Sequence, residues 1–433
     1  MLERMVINPS ASIQSTFRGW DETMAAYRLL NNASVKPEAI LQSHRQALVE
    51  RVKMQPEGSD ILFIHDTTEL DYTTKKQMDG TGPLAKAGKN TRQGFFMHSH
   101  YVVSEEGLPL GTYGAKVYAR DNHSSGVRTN PYDPIEDKES VRWLEGYRQP
   151  AAEILVRANR DRRLLDVKTG EVQYEKLYEK VRQGNRLGTI EFELKSASPK
   201  REKGFKQSPP RKARIVRQEL RVSQLRLHPP YRKEHKLKPL TIWVVLADEI
   251  DPPDGEKPIR WILNTSAPIK TLQQACKLVK LYTRRWQIEV FLRVLKTGCR
   301  VEEIQLKSQH AVFNALMLYT VIAWRIHYLV HLGRECPQLP CSVLFEAHEW
   351  RAAIAVSRYQ QNRKAKSTNP VSIPAKEEEE EPSLGDMLLI VAKLGGYLAR
   401  KNDHPPGAQC LWQGMDAVFH YAIAWEAMGH PMD

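Results

Sequence analysis

The sequence predicts an α/β fold with a β-rich insertion and helical segments at both ends. Three observations carry this. Short apolar runs bounded by polar or turn residues recur between residues 60 and 120, as in "DILFIHDTTELDY", "FFMHSHYVVS" and "LPLGTYGAKVYAR". Strict alternation marks "ARIVRQELRVSQLRL". A period near 3.6 returns in residues 11–52 and dominates the chain after residue 270.

Residues 1–52 are read as a helical segment broken at Ser and Asn. The α/β layer is expected over 53–330, opening with a strand at Ile61–Ile64 that ends at Asp66. Two further strands follow. A helix is then expected at "YDPIEDKESVRWLEGYRQ", with Asp133 as N-cap and Pro134 at the first helical position. The next strand is "AEILVRA". Residues 166–239, rich in Lys and Arg, form the expected β-rich insertion, after which "LTIWVVLAD" and "RWILNTS" rejoin the layer. Residues 331–382 are helical and pass into the charge-blocked linker "NRKAKSTNPVSIPAKEEEEEP", and 383–433 form a final helical segment.

Composition narrows the setting. The 433 residues carry 64 Lys and Arg against 51 Asp and Glu, a net charge of +13, which suits a polyanionic partner. Ribosomal association or plain solubility would give the same excess. The five cysteines are odd in number and lack any CxxC spacing, which argues for a reducing compartment and against a zinc ribbon. The N-terminus has no signal-peptide core, and "NALMLYTVIAWRIHYLV" is interrupted by Arg325 and His327. A cytoplasmic protein with no membrane span is expected.

The segment "LVKLYTRRWQIEVFLRVLKTGCRVEEIQL", residues 278–306, reads as one helix. On it Tyr282, Arg285, Glu289, Arg293 and Lys296 fall within an arc of roughly 80°. Leu281, Ile288, Phe291, Leu292 and Leu295 form the neighbouring buried stripe. A solvated charged face would mix acids and bases in i,i+4 pairs, whereas this one sets a single acid among cations beside Tyr282 and Trp286. A lone carboxylate among phosphate-binding groups suits metal-dependent phosphodiester chemistry. Asp66 at the end of the first strand and Glu289 on a late helix fit a ribonuclease-H-like arrangement, in which distant acids hold divalent ions for phosphoryl transfer. By spacing alone, a turn or capping Asp is the commoner outcome for Asp66.

Residues 282–296 read Y-x-x-R-x-x-x-E-x-x-x-x-x-x-K. This resembles the signature of bacterial cut-and-paste DDE transposases of the insertion-sequence-four family, and within it the transposon-five type. "AAYRLLNN", "IHDTTELDY", "MHSHYVV", "DKESVRWLEGY", "RWILNTSAPI", the signature and "LIVAKLGGYLARKNDHPPGAQCLWQG" follow in the family's order. The resemblance implies that Asp66 and Glu289 are catalytic and ligate Mg²⁺ or Mn²⁺. It implies that Tyr282, Arg285 and Lys296 meet DNA phosphates, with Arg157 near the active site, and Arg293 of the same arc is expected to bind DNA beside them. Trp261 would stack a base flipped out during hairpin formation. It also implies a truncated DNA-binding segment at 1–52, a dimerisation segment at 383–433, and a homodimer on transposon ends and target DNA, within the nucleoid.

The pattern departs from the family in two places. The second catalytic Asp, in a D-R-E-x-D motif, belongs between "DKESVRWLEGY" and "AEILVRA", yet "LEGYRQ" runs straight into "PAAEILVRAN" at Pro150. A segment of a few tens of residues, about one strand and one helix, is expected to be missing. The N-terminus is also expected to be short of a further basic helix that the family usually places before "SIQSTFRGW". Strand cleavage is therefore expected to be impaired. The alternatives are a DNA-binding, dimerising remnant without activity, or a rebuilt site in which Asp161 fills the vacancy.

Overall fold

The structure is a computed structural model and describes residues 1–7, 9–17, 19–75, 78–84, 92–120, 152–194, 196, 212–229, 238–364, 380–400 and 405–429. The helix expected from Asp133, the junction at Pro150 and most of the 362–382 linker lie outside the described residues. The chain divides into two units, residues 1–127 with 286–433, and residues 128–285.

The first unit begins with helices α1 (Leu2–Ile7), α2 (Ile13–Thr16), α3 (Trp20–Asn31), α4 (Pro37–Ile40) and α5 (Gln42–Lys53). An antiparallel sheet follows: β1 (Ile61–Asp71), β2 (Gly82–Pro83), β3 (Gln93–Ser104) and β4 (Pro109–Tyr118), with β3 between β1 and the β2/β4 side. Register pairs Ile64 with Tyr101, His65 with His100 and Asp66 with Ser99. Because strand side chains alternate, Ile64, Asp66 and Thr68 share one face with Met97, Ser99 and Tyr101. Ile64, Met97 and Tyr101 are buried in the main core on that face. The strand reads on past Asp66 through "TTELD", so Asp66 lies mid-strand and not at the strand end expected from the apolar run. Thr67 and Thr68 extend it, as β-branched residues do on a pleated surface.

The helix expected to be continuous over 278–306 is broken. One helix ends at Thr283 and the next, α8 (Trp286–Arg293), starts after a turn at Arg284 and Arg285. A single π-helical turn, Val294–Gly298, follows, closed by the Cys299 amide on the Val294 carbonyl at 2.9 Å. The 80° arc computed for one regular helix therefore does not describe these residues. Two facts explain why the period could not reveal the break: no Gly or Pro marks it, and it coincides with the boundary between units.

α8 buries Ile288, Phe291 and Leu292. Phe291 stacks on Tyr101 of β3, with ring centroids 4.5 Å apart, and the Tyr101 hydroxyl meets His327 Nδ1 at 2.8 Å. Such aromatic pairs add about 0.5–1.5 kcal/mol beyond their buried area. His327 belongs to α9 (Gln309–Glu335), the long central helix. By length and composition α9 could cross a membrane, but 61% of its most apolar window is buried within the protein, as expected for a core helix. Asn314 of α9 donates to the carbonyls of Leu30 and Val35 at 2.9 and 3.2 Å, tying the N-terminal helices to it. The unit closes with α10 (Ala347–Lys364), α11 (Leu384–Leu394) and α12 (Ala408–Ala427). Leu388, Val391 and Ala392 of α11 are spent on this core, and Gly414 of α12 lets the two helices approach, since an added Cβ would stand 1.7 Å from the Val391 carbonyl.

Burial also makes this unit acid-sensitive. Burial, helped by Arg51, holds His44 down at about 4; burial, then His331 and Arg334, holds His327 down at about 3. Both are depressed below the unfolded value of about 6.5, so the unfolded chain binds more protons in between. Their contribution is full above about pH 6.5 and is lost as pH falls towards 4 and below, by up to about 1.4 kcal/mol per pH unit for each. Thermal melts between pH 7.5 and 4.5 should therefore show Tm falling. For His327→Gln the slope should be shallower, and an equal slope would remove His327 from the account.

The second unit is a seven-stranded antiparallel sheet ordered β5 (Leu155–Arg157), β11 (Arg260–Thr265), β10 (Leu240–Glu249), β9 (Arg214–Leu227), β6 (Arg163–Leu165) and β7 (Val172–Lys176), with β8 (Asn185–Leu194) also on β9. Alternation along β10 sends Val245 and Ala247 to one face and Ile242, Val244 and Leu246 to the other. Helix α7 (Leu272–Thr283), opened by a Thr271/Gln274 capping box, covers the first face through Ala275, Leu278 and Val279. Helix α6 (Leu177–Arg182) covers the second through Leu177 and Val181. Of the strands expected to rejoin the α/β layer, β10 pairs with the alternating strand β9 and β11 pairs with β10, and "AEILVRA" supplies β5 at the edge of the same sheet, on β11.

Candidate active site

In the first unit, α8 and β1 pack against one another, so the elements carrying Glu289 and Asp66 are neighbours. Both side chains are half-buried. The Asp66 carboxylate accepts the Thr67 amide at 2.8 Å. Arg293, one turn beyond Glu289, is exposed, and Trp286 at the start of α8 is 51% exposed.

The π turn brings Lys296 back over β1. Its ammonium donates to the Glu69 carbonyl at 2.9 Å and pairs with Glu302 at 3.0 Å. Glu302 also accepts the Asp71 amide at 2.8 Å, and the Tyr72 hydroxyl donates to the Val301 carbonyl at 2.7 Å. The C-terminal half of β1 is thereby bolted to the segment that follows the π turn, which fixes Lys296 on the strand that carries Asp66.

In the second unit Trp261 of β11 is partly buried, parallel to Phe192 at 6.2 Å and edge-on to Tyr282 at 5.7 Å. Arg157 is exposed and donates to the Arg260 carbonyl at 3.3 Å. It lines an open cavity of about 610 Å³ with Arg160, Arg162, His228 and Lys238. Arg285 ends the unit in the turn after α7. Tyr282, Arg285, Trp261 and Arg157 thus belong to one unit, and Asp66, Glu289, Arg293 and Lys296 to the other.

Asp161, weighed as the replacement for a missing ligand, and its neighbour Asp166 are engaged locally. Asp161 accepts the Tyr178 amide at 2.9 Å and so caps the first turn of α6; Asp166 accepts the Lys168 and Thr169 amides, both at 2.8 Å, in a tight turn. Those bonds hold the Asp166 carboxyl below the usual carboxylate range.

One feature escaped sequence reasoning. Among the described residues, three imidazoles, His65, His98 and His100, form a cluster whose ligand atoms lie within 4.8 Å of one another. The H-x-H spacing of "MHSHY" puts two of them on one strand face, but only the β1–β3 register adds His65.

Family models match three stretches: a transposase DNA-binding domain at residues 1–35, a transposase DDE domain at 57–325, and the Tn5 transposase dimerisation domain at 321–426. The DDE match alone covers well over half the chain, and the chain belongs to the DDE transposases. Its N-terminal and C-terminal matches make it a transposase of the Tn5 type, with DNA and a second copy of itself as partners. Its catalytic domain has the ribonuclease-H-like fold of that family and uses a divalent metal.

Proposed function

We propose that Asp66 and Glu289 are catalytic and would hold the divalent ion, Mg²⁺ or in its place Mn²⁺, and that the chain binds transposon ends but cuts them poorly. The observation that carries this is the placement of Lys296 on β1: the signature Lys is anchored to the strand of the first acid, on the element sequence that also carries Glu289. Two half-buried carboxylates on adjoining elements are hard oxygen donors and fit a hard divalent cation. When bound, such an ion acts as a Lewis acid that polarises the scissile phosphate and activates the attacking oxygen.

The rest is the chain's own work. Lys296 has three donors; Glu69 and Glu302 take two, and the third is the one that would meet a phosphate oxygen. Arg293 presents an exposed guanidinium one turn from Glu289. In the second unit Arg157, Tyr282 and Arg285 supply further phosphate contacts, and Trp261 stacks an extruded base. Impairment follows from the missing third acid. Among the described residues no strand pairs with the second edge of β1, and the sole close group of three ligating residues is the histidine cluster, not a carboxylate triad. The lack of a D-R-E-x-D motif between "DKESVRWLEGY" and "AEILVRA" supports the same reading. The second reading, an inactive dimerising remnant that occupies transposon ends in the nucleoid, is favoured by the same two facts.

Binding tests the reading. Affinity for an end duplex should fall steeply with salt, because each neutralised phosphate releases counterions. Lys296→Ala should weaken specific and unrelated duplexes alike and reduce the slope of log K against log salt by about 0.9. A loss confined to the end sequence would assign Lys296 to base recognition and sink this role.

A further inference from the structure

Three imidazoles on one face of β1 and β3 form a donor set that the transposase chemistry does not use. His65 and His100 are directly opposed in the register, and His98 lies opposite Thr67, so all three project from the face opposite Asp66. Ring centroids are 4.3 Å apart for His65–His100, 5.1 Å for His98–His100 and 5.7 Å for His65–His98. His65 and His98 are buried, the latter completely, and His100 is half-buried. The Thr67 hydroxyl meets His98 Nδ1 at 2.7 Å, so Nε2 is the nitrogen through which His98 would take a metal. On the far side of β3, Gly114 stands opposite His100, and even an added Cβ there would lie 3.7 Å from its Nδ1. Lys116, opposite His98, is exposed to solvent.

We propose that His65, His98 and His100 form a second metal site, for a borderline divalent cation of the zinc class, which clamps β1 to β3 behind Asp66. Imidazole suits Zn²⁺ and Co²⁺, whereas the hard ion of the active site takes carboxylate oxygens. Metal–nitrogen distances of about 2.0–2.1 Å in a tetrahedral site need the nitrogens about 3.4 Å apart, within reach of small ring rotations from the present cluster. Thr67 completes it by fixing the ring of His98, as outer partners do for ligating histidines. The clamp has a structural meaning. A one-residue slip of β1 on β3 would turn Asp66 away from α8 and bring His65 to its face, and a cation shared by both strands opposes that slip.

The experiment uses the full chain, stripped with chelator and titrated with Co²⁺. The expected result is about one equivalent bound, with the intense visible absorption of a tetrahedral centre, displaced by Zn²⁺ and accompanied by a rise in Tm. The band should persist in the Asp66→Ala/Glu289→Ala double variant and disappear in His100→Gln. His100→Cys, which keeps a ligand, should retain Co²⁺ and add a thiolate charge-transfer band, so that loss through misfolding is distinguished from loss of a ligand. Absence of any tetrahedral band, or a band that survives His100→Gln but vanishes with the two carboxylates, would overturn the proposal.

Discussion

Given an end duplex with Mg²⁺ or Mn²⁺, the chain should retard the DNA yet leave it uncut. Wild type, Asp66→Ala and Glu289→Ala should give the same background of nicks. On the reading proposed above, two carboxylates would hold one hard cation, whereas a two-ion clamp needs a third to bind the second ion and to balance charge on both the attacking and leaving oxygens. Losing about 4 kcal/mol of transition-state stabilisation lowers the rate on the order of 10³-fold. The obvious substitute is already employed, since Asp161 caps α6 by accepting the Tyr178 amide in the second unit. Robust nicking that vanishes with Asp161→Ala would show that this carboxylate leaves its cap on the DNA and that the site has been rebuilt. Robust nicking that vanishes with Asp66→Ala alone would show that two acids suffice. Either result ends the claim of impairment.

Much of this fold can be read locally. The run "ILFI" and the alternation of β9 announce strands because burial pattern and backbone period are set by neighbours in the chain. What is not local was missed. That β10 joins β9 and β11 joins β10, and that β5 closes the same sheet, is a matter of which edges pair. The break at Arg284–Arg285 and the π turn at Val294–Gly298 leave no mark in an apolar stripe that continues through Ile288, Phe291, Leu292 and Leu295. The site divides in the same way. Asp66 and Glu289 follow from the placement of two acids on a strand and a late helix, and Lys296 from the likeness of a motif. The anchoring of Lys296 and the segment after it to β1, through Glu69, Glu302 and Tyr72, emerges from contacts more than two hundred residues apart in sequence. The histidine cluster needed the register of two strands before its third member could be seen.

The largest structural effect is expected from Phe291→Ala. Phe291 is fully buried, two residues from Glu289, and stacks on Tyr101, which is itself fully buried and bonded to His327 of α9. Removing the ring discards the transfer free energy of its carbons, leaves a cavity and breaks the stack. Phe→Ala changes at such sites cost about 3–5 kcal/mol. A chain of two units need not unfold in one step, so the effect is best read locally. Amide exchange in peptides covering α8 and the middle of β3 should quicken by about two to three orders of magnitude, while β9 and β10 of the second unit are unchanged. Phe291→Leu, which keeps most of the volume, should cost less than about 1.5 kcal/mol. If α8 exchanges equally in Phe291→Ala and wild type, then α8 is held by something other than this stack. The account of how Glu289 is kept beside the strand of Asp66 would then have to be rebuilt from Ile288 and Leu292.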